Sequence, residues 1–135
     1  MIMQNEFNLW WGAAGVMSLL VAAIHIFAGT PEIMVPLAQL NMPDVLYAIM
    51  DVIWNQVSLL LIVVGLALLL ASKRGAQSMD MVLFINVIYA GIALIFVVAG
   101  MFYLQSLWPM PQWILFGLIA LVAQIGWHKQ KGRVQ

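Results

Sequence analysis

The sequence predicts an all-α polytopic membrane protein, an antiparallel bundle of four transmembrane helices with both termini on the cytoplasmic side. Three observations carry this. Hydrophobic residues fill 65% of the 135 positions and charged residues only 7%, where an ordinary soluble domain is about a quarter charged. Four apolar stretches read as crossings of a hydrocarbon core of about 30 Å. All five Lys and Arg residues fall in two places that four crossings put on one side. The whole chain, residues 1–135, reads as one domain.

The first stretch, residues 9–29, lacks the basic n-region of a cleavable leader and is long enough to span, so it is expected to stay as a helix. Pro31, Pro36 and Pro43 punctuate residues 30–44, which read as a rigid outer loop with Pro31 ending the helix before it. The second stretch covers residues 45–71, and a polar turn at residues 72–78 carries Lys73 and Arg74. The third covers residues 81–104. A tight connection with Pro109 and Pro111 leads to the shortest stretch, residues 113–127, which Trp108 and Trp113 anchor at the headgroup level. Lys129, Lys131 and Arg133 follow it. The positive-inside rule assigns the two basic places to the cytoplasm, and the expected location is the cell membrane, the inner one in a bacterium.

Each stretch carries a seam of small or polar residues at helical spacing: Gly15, Ser18, Ala22, His25 and Gly29; Asp51, Asn55, Ser58, Ile62 and Gly65; Asn86, Tyr89, Ala93, Gly100 and Tyr103; Trp113, Gly117, Ala120 and Gln124. Small residues let membrane helices approach closely, and polar ones hydrogen-bond between them. These seams face a bundle interior or a neighbouring subunit. The expected partners are therefore the lipid bilayer and either further copies of the chain or a larger membrane complex. With zero net charge and no basic stripe, nucleic acid is not among them. Cysteine is absent, which excludes disulfides, thiolate metal sites and thiol catalysis.

The chemical lead is a polar layer in the outer half. Counted at about 1.5 Å per residue, His25 lies about 6 Å and Asp51 about 9 Å below the outer boundary. Paired, they would form a catalytic couple in which the carboxylate orients the imidazole. Such a couple serves a proton transfer, a bound cofactor or a polarised substrate oxygen. Trp54, Asn55, Ser58, Tyr103 and Glu32 are the candidate ligand-binding residues around them. Each has a structural reading too: Asp51 with His25 as an interhelical hydrogen bond, Glu32 as a solvated loop acid, Trp54 as an interfacial aromatic, Asn55 and Ser58 as interhelical glue.

No cofactor is named by the sequence. His25 is the only plausible metal or haem ligand on the outer side, because His128 belongs to the opposite face. Met34, Met42, Met50, Met101 and Met110 would suit copper(I), but with no Met-x-x-Met cluster they read as packing. Three functions stay open. One is a His25/Asp51 pocket that binds or transforms a small apolar ligand or cofactor. The second is an accessory subunit of a larger membrane complex. The third is a small proton-linked transporter or pore, which needs a polar path from Asp51 to Gln124.

Overall fold

The computed structural model describes residues 7–134. The first six residues and the last, expected on the cytoplasmic side, lie outside it. Among the described residues the protein is all-helical, in three helical runs separated at residues 39–43 and 105–111.

Helix α1, Leu9–Ile24, starts because Asn8 caps it: the side-chain oxygen accepts the Trp11 backbone N–H at 3.2 Å. The helix does not stop before Pro31 as expected. It widens into a π-wound segment, His25–Met34, and then resumes as the short α2, Val35–Ala38. Proline has no N–H to give and its ring crowds the preceding turn of an α-helix. A wider winding relieves both and carries the chain through. Most of the expected outer loop is therefore helical.

Helix α3, Asp44–Arg74, places Asp44 in its first turn and Lys73 and Arg74 in its last, each sign opposing the helix dipole there. It ends at Gly75, whose φ of 56° and ψ of −130° suit only a residue without Cβ. After the 3₁₀ turn Gly75–Ser78 comes α4, Met79–Ala99, which loosens into a second π segment, Gly100–Leu104. Gln105, in the left-handed region at φ 51°, ends that run. Helix α5, Gln112–Val134, extends well beyond the predicted residue 127.

Two helical runs, Leu9–Ala38 and Asp44–Leu104, are long and apolar enough to cross a membrane. Helix α5 is not among them, because Gln124, His128 and Lys129 dilute its apolar part.

Contacts fix the directions of the helices. Asn8, Ser18 and His25 meet Ser72, Leu61 and Trp54 in turn, so α1 runs antiparallel to α3. Asn8 and Trp11 meet Gly126 and Ala123, so α1 is also antiparallel to α5. Asn86 meets Gln124 and Phe96 meets Phe116, so α4 opposes α5. Helices α1 and α3 approach closely at two glycines, where a Cβ on Gly15 would sit 2.8 Å from Gly65 O. This is the small-residue packing the seams predicted. The core contains Trp11, Leu61, Leu68, Tyr89, Phe116 and Ile119, all buried.

Candidate functional site around His25

His25 is the first residue of the π segment, opposite Trp54 on α3. Their rings stack with centroids 4.0 Å apart and planes 21° from parallel. His25 Nε2 lies 3.2 Å from Trp54 O. A carbonyl only accepts, so Nε2 carries a proton, which in the neutral tautomer leaves the lone pair on Nδ1. Among the described residues no group hydrogen-bonds Nδ1. The same carbonyl accepts the Ser58 hydroxyl at 3.3 Å, and the Trp54 indole N–H donates to Thr30 Oγ1 at 2.9 Å. One stacked imidazole is thus held in plane and tautomer by α3, with a basic nitrogen left over.

Thr30 has no counterpart in the sequence reading. In an α-helix, residues five apart lie about 140° from eclipsed, so His25 and Thr30 would face different ways. Bonds closed at i→i+5 bring residues five apart to one side. The π winding forced at Pro31 is what lets both residues reach Trp54. Gly29 completes the fit, since a Cβ there would meet Trp54 Cζ2 at 3.0 Å.

The other candidates are elsewhere. His25 and Asp51 share no hydrogen bond or ion pair, so the expected carboxylate–imidazole couple is not formed. Asp51 is exposed, and its carboxylate accepts Asn55 Nδ2 at 3.3 Å, while Asn55 also donates to Asp51 O at 2.8 Å. On α3 these two residues sit to one side of the stripe through Ser58, Leu61 and Leu68 that meets the core. Glu32 is exposed, and Tyr103 is exposed with its ring edge against Phe102. Of the seven predicted residues, His25, Trp54 and Ser58 come together. Among the described residues no three His, Asp or Glu side chains converge where they could hold a metal ion.

A second polar layer lies deeper. Ser18 donates to Leu61 O at 2.8 Å, which commits its one hydrogen, and Tyr89 therefore donates to Ser18. Asn86 Nδ2 donates to Gln124 Oε1 at 2.6 Å, and Gln124 Nε2 donates to His128 Nε2 at 3.2 Å. Phe116 stacks between Tyr89 and Phe96, with centroids 5.9 and 5.7 Å away. These aromatics occupy the α4–α5 side between this layer and the end that carries His25. Compared with known protein families, curated proteins and solved structures, the chain matches none.

Proposed function

We propose that this chain is an integral membrane protein, an antiparallel four-helix bundle in the inner membrane of a cell, and that its outer end binds a small apolar ligand or cofactor through His25. Two apolar runs and a mean hydropathy of +1.04 support the embedding. The middle run reverses at Gly75 and so counts as two crossings. Helix α5 completes the set, its polar residues lying toward the basic end.

Depth follows from the basic residues. With Ser72 at the inner boundary, a core of about 30 Å takes about 20 residues at 1.5 Å each. That puts Val52 at the outer boundary. Asp51 then sits in the headgroup region, where an exposed carboxylate costs little. His25, level with Trp54, lies just inside. The carrying observation is the free Nδ1 of a ring whose other nitrogen is tied to Trp54 O. A neutral imidazole fixed in this way is a ready ligand or general base.

Haemin is a suitable probe, being apolar and ligated by imidazole. Added to the protein in mild detergent, it should give a shifted Soret band that His25→Ala removes and His128→Ala retains. Equal spectra from wild type and His25→Ala would refute the His25 centre.

A second reading, an accessory subunit, has its own support. Helix α3 has 31 residues, about 46 Å at 1.5 Å per residue, so it overshoots the hydrocarbon core at its outer end. There Val45, Ala48, Ile49, Val52, Ile53 and Gln56 line a shallow groove of about 300 Å³. An exposed apolar projection of this kind fits a partner subunit or a further copy. Crosslinking from Ile49→Cys in intact membranes should then yield a defined adduct. The pore reading has less behind it, because the stacked Phe96 and Phe116 separate the polar layers on that side.

A further inference from the structure

The end of the molecule opposite His25 carries four cations on the helices that Asn8 ties together. The Asn8 backbone N–H donates to Ser72 O at 2.8 Å, and its side-chain amide donates to Gly126 O at 3.0 Å and Gln130 Oε1 at 3.3 Å. Asn8 is buried, so these bonds tie the start of α1 to the ends of α3 and α5 at one level. Lys73 and Arg74 leave that level from α3, and Lys129 and Lys131 from α5. All four are exposed, and none forms a salt bridge with a carboxylate among the described residues. Asp80, in the first turn of α4, is the one described acid at this end. Glu32, Asp44 and Asp51 all belong to the other.

Two of the lysines are placed by aromatic rings. Lys129 Nζ lies 4.5 Å from the centre of the Trp10 ring and Lys131 Nζ 5.3 Å from that of Trp127. A cation over an aromatic face is held in position yet keeps its charge. The flanking surface is apolar, with Leu9 and Leu70 exposed on α1 and α3.

We propose that this face binds the headgroup of an anionic phospholipid, with the phosphate between the cations of α3 and α5 and the acyl chains along Leu9 and Leu70. A lipid supplies both the negative charge that the four cations lack and the apolar cover that the leucines lack. A free phosphate supplies only the first. Tryptophan belongs at the level of the lipid glycerol, which is where Trp10 and Trp127 would sit. The site rests on the membrane embedding proposed above and is independent of His25.

The test is retention of lipid by the full chain in detergent, measured by native mass spectrometry after adding phosphatidylglycerol or phosphatidylcholine at equal concentration. Phosphatidylglycerol should be retained preferentially. Lys129→Gln with Lys131→Gln should weaken it about 25-fold, at about five-fold per cation near a surface. Lys73→Gln with Arg74→Gln should act alike, while Glu32→Gln, at the far end, should change nothing. Equal retention of the two lipids, or a preference that survives all four substitutions, would overturn the site. So would competition by millimolar inorganic phosphate that removes the lipid, since the site would then select the anion alone. Recovery of the chain from the soluble fraction without detergent would sink the embedding itself, a result distinct from equal retention by a membrane-extracted protein.

Discussion

Two tryptophans on adjoining helices show how differently the two halves of the molecule are made. Trp11 is fully buried, donates its indole N–H to Ala123 O at 3.1 Å, and rests on Gly126 between regular α-helices. Trp54 is half-exposed, donates to a hydroxyl on a π-wound turn, and stacks on an imidazole whose second nitrogen is free. Around Trp11 the polar groups of the side chains are spent on helix carbonyls and the small residues let backbones touch. That arrangement fixes the helices against one another and leaves no unpaired ring nitrogen on Trp11. Around Trp54 the backbone gives up regular winding, and in return two side chains of one stretch, His25 and Thr30, converge on a single residue. The contrast separates a half that stabilises from an end that can react.

The largest expected effect is on the packed half. Trp11→Ala should lower stability by about 3–5 kcal/mol, the range for deleting a buried aromatic, read from unfolding in mixed detergent micelles. Gly126→Ala should follow at about 1–3 kcal/mol, typical of overpacking, because its new Cβ would lie 2.6 Å from Trp11 Cδ1. Gly117→Ala, with no atom within 4 Å of the added Cβ, should be neutral or stabilising in the same assay.

At the outer end, Trp54→Ala should cost about 1 kcal/mol, the scale of a stacked pair, yet weaken haemin binding far more than Trp11→Ala does. A Trp54→Ala protein that bound haemin normally would reduce the stacked pair to packing. Tyr89→Phe should cost only about 0.6 kcal/mol, the average for interhelical hydrogen bonds in membranes, since Ser18 keeps its bond to Leu61 O. Smallest of all, Asp51→Asn should leave both unfolding and the haemin spectrum unchanged, as it touches only Asn55.

Much of the packed half was legible in the chain. Gly15, Ser18 and Ala22 recur at helical spacing and are buried as that spacing predicts. Asn86 and Gln124 sit on the facing seams of α4 and α5 and bond across them. Regular helices make such inference safe, because a fixed angle per residue turns spacing into direction.

The outer end was legible only in its residue types. His25, Trp54 and Ser58 were identified, but Asp51 and Asn55 were assigned to the same seam although they lie beside it. Spacing says which residues share a stripe and not where a neighbour helix crosses it. Thr30 was missed for a different reason. Proline normally ends a helix, and only a wider winding carries the chain past Pro31 and swings Thr30 toward Trp54. Nothing in residue spacing announces that change of pitch.

The most direct measurement is the tautomer of His25, read from the two imidazole ¹⁵N resonances of histidine-labelled protein in which His128→Gln leaves one imidazole. Among the described residues His128 bonds Gln124 and meets the Trp127 ring at the far end, so the substitution leaves the His25 site undisturbed. A neutral ring with the proton on Nε2 and an unprotonated Nδ1 that shifts on adding haemin is the predicted result. A proton on Nδ1, or a ring whose resonances ignore the probe, would contradict the claim that Trp54 prepares His25 to hold a ligand.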